Sequence, residues 1–231
     1  MENEKRVLRW GGLAGILAVI AFIVDVPIYA FADPASSPLG GPEGLMRFTD
    51  IRLALVANTI LMMMVAIFSI ALILALYTIL RATGLAPALF GSVLGVLGYV
   101  LIALGDASTF ISFAPLSDLY HTPTVTPDAQ ATVVLLWEAT QGITNTFFFV
   151  GIVFLMIGFV VLGVVMLKAP AFGRRFGGVS IVLGVIGIVG AIASLFVFQA
   201  IGVMFPADLI FLTLFGWKVY SLSRGPRSPN T

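Results

Sequence analysis

Six long apolar segments constrain the fold of this chain more than any other feature of its sequence. At about 1.5 Å per residue, each is long enough to cross a hydrocarbon core of about 30 Å as an α-helix. Turn-forming residues separate the segments, at Asp33-Pro34, Thr83-Gly84, Pro115, Ala169-Pro170 and Gly202 to Pro206. The pattern predicts one all-α domain, residues 1–231, that folds as a polytopic transmembrane helical bundle. The predicted spans are 10–31, 53–80, 87–113, 131–167, 176–200 and 203–222, with polar outer loops at 32–50 and 114–130.

The composition supports a membrane protein and excludes several other classes. The chain of 231 residues is 60% hydrophobic and only 10% charged, against roughly 25% charged residues in soluble domains. A net charge of +1 argues against a nucleic-acid partner. The chain has no cysteine, which excludes disulfides and thiolate metal sites. His121 is the single histidine, which disfavours multi-histidine metal or haem sites. We therefore predict no cofactor.

The basic residues predict the orientation in the membrane. With six spans, only Arg47 and Arg52 fall on the outer side. Cytoplasmic loops of membrane proteins carry an excess of Lys and Arg, so both termini are predicted to be cytoplasmic. The ten remaining basic residues then share the inner side: Lys5, Arg6, Arg9, Arg81, Lys168, Arg174, Arg175, Lys218, Arg224 and Arg227.

The first apolar segment allows a second interpretation. Lys5, Arg6 and Arg9, an apolar run and then Ala30-Phe31-Ala32 also resemble a cleavable secretory signal. The run is about 20 residues long, whereas signal peptides have an apolar region of about 7–15. It also carries Asp25. These features favour a retained first span, with cleavage as the alternative.

The fourth segment is too long for the bilayer. Thr126-Pro127-Asp128 is typical of a helix start, and from there to Lys168 a continuous helix would extend about 60 Å. Residues 131–146 therefore either project beyond the outer surface or bend at Gly142 into an interfacial segment. We expect the second to fourth helices to form a polar cap on the outer side. Trp137 is predicted to be an aromatic anchor at that boundary.

Small residues recur in the odd-numbered segments. Gly11/Gly15, Gly91/Gly95 and Ser180/Gly184 are four residues apart, which predicts close helix packing in lipid. The stretch Arg9-Trp10-Gly11-Gly12 is similar to Arg175-Phe176-Gly177-Gly178, and the third segment also opens with an aromatic residue followed by glycine, Phe90-Gly91. The similarity fits a duplication of three helical hairpins, and it also fits chance in segments rich in glycine, valine and leucine.

Several polar residues lie in the outer half of the predicted spans. A carboxylate at membrane depth costs about 2.5–3.5 kcal/mol on insertion scales, so each such residue needs a partner, a proton or a function. Glu138, Gln141 and Asn145 follow an i, i+3, i+7 spacing that aligns them on one helix face. We predict a polar cavity or ion site formed by Asp25, Asp106, Glu138, Gln141 and Asn145, with secondary contributions from Asn58, Arg52, Asp208 and Gln199.

The same residues also have a structural explanation. Each acid could cap a helix, pair with Arg47 or Arg52, or reach headgroup water. Asp208 follows Pro206 at a helix start, where an acid is expected in any case. For Asp208 and Gln199 this structural explanation is the favoured one, whereas Asp25 fits it least well.

Two stretches resemble a known family. The sequences LALYTILRATGLAPALFGSVLG and PADLIFLTLFGWKVYSLSR, with the glycine-rich opening of the first segment, resemble a prokaryotic six-helix integral membrane family known only as a domain of unknown function. The resemblance implies six spans, a location in a prokaryotic inner membrane and an acid that opens the last helix, where Asp208 stands. It implies no activity.

The function predicted from these observations is that of a small transporter, a cation- or proton-linked carrier with an acidic site in the outer half. The alternative is a non-catalytic accessory, assembly or scaffold protein of the membrane. An intramembrane carboxylate–metal hydrolase is a third hypothesis, disfavoured by the single histidine. The expected partners are the lipid bilayer, a small cation or proton, and either another membrane protein or a second copy of the chain.

Overall fold

Six α-helices account for nearly all of the chain that the computed structural model describes, which is residues 2–32, 41–124, 126–196 and 202–224. No strand occurs within these ranges. The prediction of an all-α helical bundle is confirmed. The helices are α1 Glu2–Ala32, α2 Gly41–Leu80, α3 Leu85–Tyr120, α4 Pro127–Met166, α5 Gly173–Ser194 and α6 Met204–Ser223.

Successive helices run in opposite directions. α1 packs against α2 and α6, α3 against α2 and α4, and α4 against α5. The start of α1, the α2–α3 turn, the α4–α5 loop and the end of α6 therefore lie at the same end of the bundle, which we call the basic end. Arg81 makes an ion pair of 3.2 Å with Glu4 there, and Lys218 lies over the ring of Phe176.

Among the described residues, five helices are long and apolar enough to cross a membrane, namely α1 to α5. This finding indicates a multi-pass membrane protein. α6 has 20 residues and is not among the five, because Pro206, Asp208 and Lys218 lower its apolar character. Six spans and the orientation stay predictions.

α2, α3 and α4 are much longer than a bilayer requires. They contain 40, 36 and 40 residues, which corresponds to about 54–60 Å each. The parts far from the basic end, residues 41–57, 107–120 and 127–145, form what we call the extension. The extension has a hydrophobic cluster of its own, separate from the cluster that fills the rest of the bundle.

The helices occupy much of what the sequence predicts as outer loops. Residues 41–50 belong to α2, 114–120 to α3 and 127–130 to α4, while residues 33–40 and 125 lie outside the described part of the chain. Pro115, predicted as a break, lies inside α3. A proline removes one helical hydrogen bond, and here the neighbouring Phe113, Ala114 and Ser117 are buried against the other helices of the extension.

The two alternatives for the fourth segment are also decided by the structure. Residues 127–166 form a single helix that passes through Gly142. Its start is the one predicted, because the Thr126 hydroxyl accepts a hydrogen bond from the backbone N–H of Ala129 and Pro127 occupies the first helical position.

Trp137 is not the interfacial anchor that its sequence position suggested. Its side chain is fully buried in the extension, stacked on Phe113 with ring centroids 3.9 Å apart and edge-on to Phe48 at 5.7 Å. The three-helix extension needs a core of its own, and the largest side chain of this part of α4 supplies it.

Candidate functional site

Asp25 and Asn58 form a buried polar pair between α1 and α2. The Asn58 side-chain N–H₂ group donates to both carboxylate oxygens of Asp25, at 2.8 and 2.9 Å. Asp25 is only 6% exposed. A buried carboxylate is tolerated only with hydrogen bonds, a proton or a counter-charge, and the amide supplies the first of these.

Asp106 brings a second carboxylate from α3 close to this pair. It lies within electrostatic range of Asp25, and its Oδ2 atom is buried with no hydrogen-bond partner in the described part of the chain. The ion pairs found within the described ranges involve other acids: Glu2, Glu4 and Asp118. Asp25, Asn58 and Asp106, here named the polar trio, therefore hold two acids and no cation.

A partly enclosed pocket lies in the middle of the bundle. Side chains from α1, α2, α3, α4 and α6 line it, and the empty space including its mouth is about 440 Å³. Most of the lining is apolar or aromatic, and Tyr99 and Asp208 provide its polar wall. An apolar pocket with a few convergent polar groups is the usual form of a small-molecule site.

The polar trio is one helical turn from this pocket, on the side of the extension. Phe22, Met62 and Ile102 line the pocket, and Asp25, Asn58 and Asp106 lie three or four residues further toward the extension on the same helices. Residues three or four apart share a helix face. The trio is therefore placed at the outward edge of the pocket.

A neighbouring hydroxyl pair continues this polar level. Ser108 of α3 and Thr144 of α4 lie 3.0 Å apart, and Thr144 is one turn from the pocket residue Phe148. Polar groups from four helices thus lie at one height, between the apolar pocket and the extension.

Asp208 of α6 is part of the pocket wall. The hydroxyl of Tyr99 donates a hydrogen bond of 2.6 Å to Asp208 Oδ1, and both residues are buried. Ser69 lies beside the Tyr99 hydroxyl, and its own Oγ atom has no well-formed hydrogen bond among the described residues. The acid that the sequence suggested as a helix-start residue is thus directed into the bundle.

The remaining predicted site residues lie elsewhere. Glu138 and Asn145 are exposed on α4 and Gln141 is half-buried; the structure records no bond between Glu138 or Asn145 and the trio. Arg52 makes an exposed ion pair of 3.3 Å with Asp118. Gln199 lies outside the described residues.

Sequence reasoning missed Tyr99, Ser69 and the pocket itself. The signal that could have found Tyr99 is its position in the middle of an apolar helix, because a buried tyrosine hydroxyl usually needs a partner. The identity of that partner depends on how α3 and α6 are rotated about their axes, which the sequence does not specify.

The site is better suited to protons or to a ligand's charge than to a bound metal. Hard cations are held by six or more oxygen ligands in most protein sites, whereas the trio offers two carboxylates and one amide. Across the ranges that the structure describes, no group of three or more His, Cys, Asp or Glu side chains could hold a metal ion.

Comparisons with family models, with curated proteins and with solved structures found no match to this chain. The resemblance to a six-helix prokaryotic family stays a prediction, and the functional argument rests on the geometry alone.

Proposed function

We propose that this protein is a small carrier of the prokaryotic cell membrane that couples the movement of a solute to a proton bound at the polar trio. The observation that carries the proposal is the position of two carboxylates, Asp25 and Asp106, near each other at the edge of an apolar pocket, with no basic partner among the residues that the structure describes.

The electrostatics of the trio favour a proton. Two like charges in a medium of low dielectric constant repel each other strongly, and a single proton between them removes that repulsion. Ionisable residues inside membranes are expensive and commonly mark proton or substrate pathways. A proton that enters or leaves the trio changes the charge at the pocket edge, which is the coupling that a carrier requires.

The proposal includes six spans with both termini in the cytoplasm. The packing of α6 supports its role as a span, because Phe211, Leu212, Phe215 and Val219 are fully buried and Gly216 lies directly against Gly15 of α1. The concentration of Lys and Arg at the basic end supports a cytoplasmic location for that end.

A non-catalytic accessory or scaffold protein is the second candidate, favoured by one observation. Large apolar residues recur every seven positions along one face of α2 and are exposed: Met46, Leu53, Ile60, Ile67 and Leu74. The last three suit a lipid-facing surface, but Met46 and Leu53 belong to the extension. Exposed apolar patches outside lipid mark contact sites.

A pH jump on reconstituted protein tests the carrier proposal. Proteoliposomes adsorbed on a solid-supported membrane should give a transient current when protons bind the trio. Asp25→Asn and Asp106→Asn should each reduce this current at least tenfold, because each removes one carboxylate. Glu138→Gln is the matched control, since it neutralises an exposed acid of α4, and its current should equal that of the wild type.

Gel filtration serves as the folding control, and every variant should elute at the same volume as the wild type. A current that both aspartate variants retain, or no current from the wild type, contradicts the proton site. In that case, co-purification of a stoichiometric membrane protein from native membranes would support the accessory role.

A further inference from the structure

We infer that the central pocket binds a small organic ammonium ion, with the ligand's apolar groups against the pocket walls and its charge against Asp208. The inference deepens the proposed function, on which it rests, by naming the class of solute. Binding itself, however, can be measured without transport.

Asp208 supplies the reason for a cationic ligand. The side chain is 8% exposed and forms part of the pocket wall. Tyr99 donates to its Oδ1 atom, and Oδ2 receives no hydrogen bond or ion pair within the described residues. A buried carboxylate that lines a cavity and has a neutral hydrogen-bond partner but no counter-charge gains most from a ligand that brings a positive charge.

The aromatic walls suit the same ligand. Phe22 and Phe148 flank Phe205 at the pocket, with ring centroids 5.9 and 6.3 Å from that of Phe205. Aromatic faces attract ammonium groups, and the attraction increases when the site excludes water. A neutral apolar ligand would leave the Asp208 carboxylate without a counter-charge, and an anion would be repelled by it.

The size of the pocket limits the ligand. The empty space of about 440 Å³ includes the mouth, and pockets of this class hold compact small molecules. Because this figure counts open space at the mouth, the enclosed space is smaller, and we expect a single compact molecule. A phenyl group with a short alkylammonium arm belongs to this class.

The two ends of the pocket differ in a way that favours entry from the extension side. Toward the basic end, Phe159 and Phe211 lie one turn beyond the pocket residues Met156 and Asp208. Both are fully buried, and their rings stack with centroids 3.6 Å apart and an interplanar angle of 6°. At the other end lie Asp25 and Asp106. Acidic groups at an entrance raise the local concentration of cations, so the trio would attract the same ligand that Asp208 binds.

A matched pair of probes tests the inference on the purified full-length protein at neutral pH. Benzyltrimethylammonium and its neutral isostere neopentylbenzene have the same shape and differ in charge. We expect calorimetry to detect the ammonium probe, and competition to show that the neutral probe binds at least tenfold more weakly. Asp208→Asn should weaken binding of the ammonium probe at least tenfold, because it removes the charge and preserves the side-chain shape.

A second variant covers the case in which Asp208→Asn does not fold. Ala66 is a buried pocket residue, and Ala66→Leu should reduce binding of both probes by filling the space without altering any charge. Glu138→Gln is the control and should bind both probes as the wild type does. Tighter binding of the neutral probe, or ammonium binding that survives Ala66→Leu, overturns the inference and indicates a neutral molecule, such as a lipid chain, or a different site.

The results also separate this inference from the proposed function. Absence of ammonium binding alongside a trio-dependent pH-jump current would overturn the pocket assignment and leave the proton carrier intact. Asp208-dependent ammonium binding without any such current would support the pocket and overturn the proton-linked carrier.

Discussion

The extension and the rest of the bundle, which we call the membrane body, hold their helices together in different ways. In the membrane body, glycines bring helix backbones into contact: a Cβ atom built on Gly98 would lie 2.7 Å from the backbone oxygen of Gly151, and Gly158 lies against Gly91 and Gly95. In the extension, the contacts are between large side chains, with Trp137 between Phe48 and Phe113.

This difference is expected if the two regions face different solvents. In lipid, burial of apolar side chains gives no hydrophobic gain, so helices associate through close packing at small residues. In water, burial of apolar area is the main stabilising contribution, at roughly 25 cal/mol per Å². We infer that the membrane body lies in lipid and that the extension lies in water.

Polar contacts follow the same division. The ion pair Arg52–Asp118 is exposed in the extension, and Arg81–Glu4 is exposed at the basic end. Between them lie three acids without a basic partner among the described residues. Asp25 accepts hydrogen bonds from the Asn58 amide, and Asp208 accepts one from the Tyr99 hydroxyl. Asp106 Oδ2 has no hydrogen bond within the described part of the chain. An acid without a counter-charge is most costly inside a bilayer, and these three are functional candidates because the inferred membrane body contains them.

Cysteine labelling gives the largest expected effect, an all-or-none difference. The chain has no cysteine, so Leu53→Cys and Ile67→Cys each introduce a single thiol on the same face of α2. Leu53 is 82% exposed and Ile67 61%. If the extension lies in water outside the cell and the membrane body in lipid, a membrane-impermeant maleimide added to intact cells should label position 53 and should not label position 67.

The same assay fixes the orientation. Arg81→Cys, at the basic end, should be labelled only in inverted vesicles. Labelling of position 53 only in inverted vesicles would reverse the predicted topology. Protection of position 53 in both preparations would show that the extension is covered, which would favour the accessory role.

Replacing the central aromatic residue of the extension gives the next largest effect. Trp137→Ala should lower the free energy of unfolding by about 3–5 kcal/mol, because it removes a fully buried tryptophan and leaves a cavity. Trp217→Ala is the matched control, since Trp217 is 65% exposed, and its effect should stay below about 1 kcal/mol. Circular dichroism during denaturation in detergent measures both. If the two substitutions lowered the free energy of unfolding equally, Trp137 would not be the centre of a hydrophobic core in the extension.

Much of the helical architecture could be predicted from the sequence because it depends on local patterns. Apolar length places the helices, and Thr126-Pro127 marks the start of α4 as expected. The small-residue positions Gly15 and Gly184 lie at helix contacts, against Gly216 and Met156, as predicted. The predictions of a helix break at Pro115 and of an interfacial anchor at Trp137 were wrong, because packing among three helices determines the environment of both residues. A local sequence pattern does not contain that information.

The candidate site was less predictable for a related reason. A carboxylate in an apolar segment is visible in the sequence, so Asp25, Asp106 and Asp208 were all identified as candidates. Which of these side chains contact each other depends on how each helix is rotated about its own axis. A shift of one residue along a helix changes the direction of the side chain by about 100°. The partners Tyr99 and Ser69 and the separation of Glu138 from the trio could not be read from spacing on single helices.

The smallest expected effects are those of two glycine-to-alanine substitutions, which test the role of glycine in the membrane body and in the extension. Gly98→Ala should destabilise the protein by about 1–3 kcal/mol, because the new methyl group would overlap the backbone of Leu155, which cannot move without shifting α4. Gly142→Ala, in the extension, meets nothing within 4 Å and should stabilise by about 0.5–1 kcal/mol, since alanine favours a helix more than glycine does. The same denaturation measurement decides both signs. If Gly98→Ala were also stabilising, α3 and α4 could not be in backbone contact in the membrane, and the packing difference between the two regions would lose its basis.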